Sequence, residues 1–309
     1  MSWNPAHPPT QTGRTIVVTG ATSGIGYFAA EQLAAAGADV VLASRSASKL
    51  RATEETIRAH VPTASLRSVV IELGSLAAVD DAAAELAALP RLDGIFLNGG
   101  TMAMSRTAVT ADGLPDILGT HVAANVRLLA RVLPSLTATA AQHGGAGRVV
   151  HASTGFVRRF RFGLDDVRRL PLTGIGAYTK AKTATEVFAF ELDRRLRAAQ
   201  QPLLSVLTHP GVGVDARTPE RAGIRDATTP YRRNPYTLWA QGKDAAAWPA
   251  VRALTDPAAT GGDYYAPQDG TRGTPVLIDA LARTRHPEGE SADRVWRQLE
   301  ELAGVRIPL

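Results

Sequence analysis

The stretch RTIVVTGATSGIGYFAAEQLAAAGADVVLASR, residues 14–45, decides the fold. It opens with a short β-branched run, passes through a glycine-rich turn and continues as an alanine-rich helical pattern that Gly37 is placed to stop. A second run, ADVVLASR, follows at once. Two short strands apolar on both faces, joined through a helix, describe a βαβ unit from the interior of a parallel sheet.

The same alternation continues outward. Ser46 to His60 reads as the second helix and SLRSVVIEL as the third strand, with Ser75 placed to cap the helix after it. LDGIFLNGG, GRVVHAS and LLSVLTHPG read as further strands, separated by helical stretches at 114–142 and 178–199. The expected fold class is α/β: a doubly wound parallel sheet in three αβα layers. Residues 1–12, rich in Pro and Thr, read as a flexible arm, and 13–309 as a single domain. Two irregular segments, 155–177 and the Pro/Arg-rich 212–240, interrupt the pattern, and the second is expected to be a substrate lid.

The turn TGATSGIG, Thr19 to Gly26, lies between the first strand and the first helix. Glycines there permit a tight turn and let backbone N–H groups approach a pyrophosphate at the helix N-terminus. Gly20, Thr22, Ser23, Gly24, Ile25 and Gly26 are therefore candidate cofactor contacts. At the end of the second strand, a carboxylate would accept from a ribose 2′-hydroxyl. This chain carries Ser44 and Arg45, a hydroxyl beside a guanidinium, which suits a 2′-phosphate and favours NADP (NADPH) over NAD.

Composition narrows the remaining classes. The 309 residues are 45% hydrophobic and 20% charged, with a net charge of +5, as in an ordinary globular protein. The absence of cysteine excludes disulfides, thiolate metal sites and cysteine nucleophiles, and no metal site is expected. Basic residues cluster, as at Arg194, Arg195 and Arg197, without aromatic stacking platforms, so nucleic acid is not an expected partner and this cluster reads as a solvated helix face. No apolar run approaches the length of a membrane span, and the N-terminus lacks the pattern of a secretory signal, so a cytoplasmic location is expected.

TGATSGIG, LNGG (97–100), GRVVHAST (147–154), Tyr178 and Lys182 in AYTKAK, and HPG (209–211) occur in an order that resembles the short-chain dehydrogenase/reductase superfamily. AYTKAKTATEVFAFELDRRL, ATGGDYYAP and SADRVWRQLEELAGV resemble its retinol-dehydrogenase-like branch, so the likeness covers nearly the whole chain from residue 13. The resemblance implies a Rossmann fold and an oxidoreductase interconverting a carbonyl and an alcohol on a small-molecule substrate. It makes Tyr178 the general acid, with Lys182 lowering its pKa and holding the nicotinamide ribose. One helical turn sets the two on the same face. It adds Glu72, Leu73, Asn98, Gly99, Gly100, Pro210, Gly211 and Val212 to the cofactor contacts. Relatives often pair through the helices at 114–142 and 178–199, which implies a homodimer or homotetramer.

The chain departs from that pattern at several points. Counting thirteen residues back from Pro134, or forward without a gap from Asp112 and Gly113, places His121 where the family has a catalytic Asn, with Asn125 one turn further along. Two readings of His121 stand: a substitute in the proton relay, or a hydrogen-bonded interior histidine. Thr154 takes the place of the catalytic Ser, with Ser153 as the alternative. Asp215 stands where a hydroxyl residue contacts the nicotinamide amide, and His209 reads as structural. The leading expectation is a ketone or aldehyde reductase. The alternatives are a redox-neutral dehydratase, cyclase or isomerase using His121 as acid or base, and a non-catalytic NADP-binding regulator.

Overall fold

The computed structural model describes residues 3–101, 107–228 and 237–309. Strand β1 (Thr15–Thr19) leads into α1 (Gly24–Ala35), then β2 (Asp39–Ser44), α2 (Ala47–His60), β3 (Ser65–Val70), α3 (Leu76–Ala87) and β4 (Gly94–Leu97). A short α4 (Asp116–Leu118) passes through one π-helical turn (Gly119–Ala123) into α5 (Ala124–His143). After these come β5 (Gly147–Ala152), α6 (Phe156–Arg159), α7 (Gly174–Ala198), β6 (Leu203–Thr208) and α8 (Lys243–Thr255). The chain ends with β7 (Tyr264–Pro267), β8 (Pro275–Leu277), α9 (Ala282–Arg285) and α10 (Ser291–Ala303).

The strands form one sheet in the order β3-β2-β1-β4-β5-β6-β7-β8, parallel except for the antiparallel β8. Side-chain alternation divides the core. Val17, Val41, Ile95 and Val149 pack against α3, α5 and α7, while Ile16, Val18, Val40, Leu42 and Val150 pack against α1 and α8. This is the doubly wound three-layer arrangement, and both faces of the strands are buried as their composition requires. Ser75 caps α3 by accepting from Ala78 N, and Gly37 adopts φ +88° after α1.

Sequence order reverses between β1 and β4, and the loops after their C-terminal ends, residues 20–26 and 98–101, border a crevice. Everything that follows is set around that switch point.

Three expectations need correcting. The arm is not free: Trp3 Nε1 donates to Thr255 Oγ1 at 2.8 Å, and Gln11 N donates to Ala36 O at 2.7 Å, so the described residues 3–12 are bound to the α1–α8 layer. The described part of the 212–240 segment divides: Gly213, Val214 and Asp215 line the cleft, while residues 220–225 lie away from it. Arg221 pairs with Glu31 on α1 at 2.7 Å and lies over the Phe28 ring, and Thr56 on α2 donates to Ala222 O, so this part is a strap across the outside of α1 and α2. Residues 229–236 of the expected lid lie outside the described residues.

The third correction concerns the arginine cluster of α7, which lies beside the C-terminal helix. Trp296 of α10 stacks on Phe188 of α7 at 5.1 Å, and Val295, Leu299 and Leu302 are buried in the same core as α5 and α7. The chain's own C-terminal helix therefore packs on α5 and α7, the helices expected to pair subunits. Arg194 and Arg195 are not simply solvated: both bind Glu191, and Arg195 reaches Asp293 at 2.5 Å and lies over the Trp296 ring, tying α7 to α10.

Candidate active site

A cleft of about 950 Å³ runs along the C-terminal edge of the sheet from Arg45 to Tyr178. That is near the upper end of the ~300–1,000 Å³ usual for ligand sites. Its outer half is lined by Gly20, Thr22, Ser23, Gly24, Ile25, Gly26, Ser44, Arg45, Glu72, Leu73, Asn98, Gly99 and Gly100, its inner half by His121, Ser153, Tyr178, Lys182 and Pro210. The crevice between β1 and β4 brings these distant segments together.

The glycine turn is shaped by close approach. Gly20 and Gly24 have φ of +69° and +56°, a region that side chains disfavour. A Cβ on Gly26 would collide with Gly20 O and come within 2.7 Å of Asn98 Nδ2. Asn98 braces the turn, donating from Nδ2 to Thr19 O at 3.0 Å, while Gly99 N donates to Thr19 Oγ1 at 2.8 Å. A Cβ on Gly99 would meet Leu73 Cδ1 at 2.7 Å, so the Gly at that position matches the Leu beside it. Ser23, the N-cap of α1, makes no side-chain cap, so the first-turn N–H groups have no side-chain acceptor there.

This cradle fits a pyrophosphate, and its outer end fits a phosphorylated ribose. Thr22 and Ser44 hydroxyls lie 3.0 Å apart, and Arg45 is joined on the cleft wall by Lys49 of α2. Lys49 was missed in the sequence; its position in the first turn of a helix capped by Ser46 was the available signal. Glu72 lines the cleft while its Oε1 accepts from Gly74 N at 2.8 Å, which fixes the turn after β3. Gly211 and Val212 are not in the cleft wall. Gly211 packs against Thr271, and Val212 N donates to Thr271 O at 2.9 Å, so Gly213 and Val214 line the cleft instead. His209 is buried, its Nδ1 accepting from Gly211 N at 3.2 Å, which holds this turn.

At the inner end, α7 carries Tyr178 and Lys182 on one face. Burial pushes the Tyr178 phenol up to about 12, opposed by a hydrogen bond with the Thr154 side chain. Thr154 does not itself line the cleft but touches the phenol that does. Burial lowers the Lys182 ammonium to about 8; its Nζ donates to Ala152 O at 2.7 Å and sits 5.9 Å from the Tyr178 ring centre. Ser153 turns the other way. Its Oγ donates to Glu186 Oε1 at 2.6 Å, and Tyr264 OH donates to the same oxygen at 2.7 Å. Burial raises the Glu186 carboxyl, which favours its neutral form in this enclosed cluster.

The π-helical turn explains His121 and Asn125. Gly119 opens it, packed so closely on Thr110 that a Cβ would collide. Asn125 Nδ2 donates to Thr120 O and His121 O, both at 3.0 Å, so its amide stitches the widened turn and does not reach the cleft wall. His121 does reach it. Its Nε2 bonds Thr101 O at 2.7 Å, which requires Nε2–H to be the donor, and its ring packs against Gly100. Burial, with the Lys182 charge adding, lowers the imidazole to about 3. A neutral ring whose only proton is engaged by a carbonyl is poorly placed to act as an acid, and burial makes its unpartnered Nδ1 a weak base.

Among the described residues no three His, Asp or Glu gather as a metal site, and no helix is long and apolar enough to cross a membrane.

Comparison with known proteins agrees with this geometry. Residues 14–200 match the family model described as short chain dehydrogenase. Polyprenol dehydrogenase of Mus musculus is 32% identical over 71% of this chain, which spans only 65% of that relative's length. The "Putative daunorubicin C-13 ketoreductase DnrU" of Streptomyces sp. (strain C5) is 34% identical over 82% of this chain and 83% of its own. Retinol dehydrogenase 13 of Homo sapiens is 26% identical over 96% of this chain and 86% of its own. A crystal structure of an uncharacterized protein from Mycobacterium Paratuberculosis superposes over 100% of both chains, at 26% identity and a TM-score of 0.79. Fold, glycine turn and the Tyr178–Lys182 pair all lead to one assignment: the chain belongs to the short chain dehydrogenase family.

Proposed function

We propose that this chain is an NADP(H)-dependent reductase of ketones or aldehydes, acting on a medium-to-large organic substrate in the cytoplasm. The observation that carries the reading is the arrangement along one cleft. A half-buried Tyr178, with burial raising its phenol and Lys182 behind it, lies at the inner end, and the cations Arg45 and Lys49 lie at the outer end. Names of the relatives, a ketoreductase and two alcohol dehydrogenases, support carbonyl–alcohol interconversion.

NADPH, when bound, supplies the hydride. Arg45 and Lys49 hold the 2′-phosphate, and the glycine turn holds the pyrophosphate. Tyr178 donates its phenolic proton to the carbonyl oxygen, and Thr154, behind the cleft wall, steadies the phenol. Lys182 stabilises the phenolate that remains. The raised Tyr178 pKa keeps the proton on the phenol at neutral pH, which suits the donor role and hence the reductive direction.

The test is oxidation of NADPH against a panel of aryl and alkyl ketones and aldehydes. Tyr178→Phe is expected to lower kcat by ~10²–10⁴ with NADPH affinity kept. Turnover unaffected by that variant would refute the assignment of the acid.

A further inference from the structure

The loop that follows β6 and the first turn of α8 place an ion pair in the cofactor cleft. Lys243 Nζ lies 2.5 Å from Asp215 Oδ1, and both residues line the cleft wall. The lysine backbone is anchored and its stem passes close by two glycines. Lys243 N donates to Thr218 Oγ1 at 2.9 Å, its Cγ is 3.3 Å from where a Cβ on Gly213 would stand, and its Cδ is 3.7 Å from where one on Gly24 would stand. Lys243 thus crosses from the strap to the glycine turn at the point where α1 begins.

We propose that Lys243 is a pyrophosphate ligand, held in position by Asp215. The proposal rests on the dinucleotide reading of the cleft and extends it to a residue no sequence motif marks. The chemistry follows from charge. A carboxylate at 215 beside a bound pyrophosphate would by itself repel the ligand. The ammonium of Lys243 cancels that charge and, with three N–H donors, gives one to Asp215 and the others to phosphate oxygens. Asp215 therefore has a positioning role, aiming a flexible four-carbon side chain at the glycine turn and reducing the ordering it must undergo when the cofactor binds.

The experiment titrates the purified full chain with NADPH and, separately, with adenosine 2′-phosphate, which carries the 2′-phosphate but no pyrophosphate. Lys243→Gln is expected to weaken NADPH by ~10–100-fold, the range for a charge-assisted hydrogen bond, and to flatten its salt dependence. Binding of adenosine 2′-phosphate is expected to stay within about three-fold. Lys243→Arg, which keeps the charge, is expected to retain most NADPH affinity and serves if the Gln variant fails to fold. Asp215→Asn, which removes the repelling charge but keeps an amide oxygen to accept from Lys243, is expected to hold or tighten NADPH binding. Equal NADPH binding by wild type and Lys243→Gln would overturn the proposal. So would a parallel loss for both ligands, or Asp215→Asn weakening NADPH as much as Lys243→Gln does, either of which would make the pair a structural brace. If wild type binds adenosine 2′-phosphate and NADPH not at all, the dinucleotide reading itself fails and takes the proposal with it.

Discussion

His121 meets Tyr178 edge to face, with ring centroids 5.3 Å apart and planes at 76°. The contact lets a neutral imidazole hold the Tyr178 phenol without exchanging a proton with it, a packing role worth ~0.5–1.5 kcal/mol. His121→Asn is therefore expected to keep kcat within about ten-fold and to leave the pH limbs of the reaction in place. Loss of turnover with NADPH affinity intact would instead give the imidazole a direct chemical part.

Adjacent hydroxyls at 153 and 154 are assigned opposite tasks by strand alternation. Thr154→Ala is expected to lower kcat by ~10-fold, the cost of one hydrogen-bonding side chain that steadies the Tyr178 phenol, with little effect on stability. Ser153→Ala is expected to leave kcat nearly unchanged and to cost ~1–3 kcal/mol of stability, because Glu186 loses a buried donor. Kinetics and melting curves on the two variants separate them, and the reverse pattern would exchange their roles.

The pH dependence of reduction follows from two groups. The acid must stay protonated, and Tyr178 does so up to about 12. Lys182 must stay charged, and it loses its proton as pH rises through about 8. The account predicts kcat/KM for reduction flat from pH 6 to 7 and falling above about 8, with the limb abolished in Lys182→Met along with most activity. A fall beginning only above pH 10 would remove Lys182 from the role described.

Acid stability is governed by buried imidazoles. Burial lowers His121 and His151 to about 3 and His209 to about 4, from an ordinary 6.5. The unfolded chain takes up these protons below 6.5 while the native chain does not, so stability is complete above 6.5 and drains as pH falls toward 3. Thermal melts between pH 7 and 4 are expected to fall steeply, and less steeply in His121→Asn. Identical slopes would mean that the ring protonates freely in the folded protein.

The first part of the chain, through β6, was legible because interior parallel strands are apolar on both faces and helices between them are capped by Ser46, Ser75 and Gly37. The final third was not. β7 and β8 are four and three residues long, too short for a period to register, and their pairing is long-range. The covering of α5 and α7 by α10 depends on Trp296 finding Phe188 across the fold, which no local pattern encodes.

In the site, the glycine turn and Arg45 were read from residue type and position and Tyr178 and Lys182 from the family resemblance, and the structure brings them to one cleft. Gly211 and Val212 were misplaced because the turn after His209 is held toward Thr271, a contact made sixty residues downstream. Lys243 carries no sequence signal at all: only the folded chain brings it against Gly24 and Asp215.

The central claim is that the cleft binds NADPH through its 2′-phosphate. The most direct measurement is a fluorescence titration of wild type and Arg45→Ala with NADPH and NADH. The account predicts selective NADPH binding that weakens about ten-fold or more in the variant, with NADH little changed. Equal affinity for both cofactors, or NADPH binding indifferent to Arg45, would contradict it.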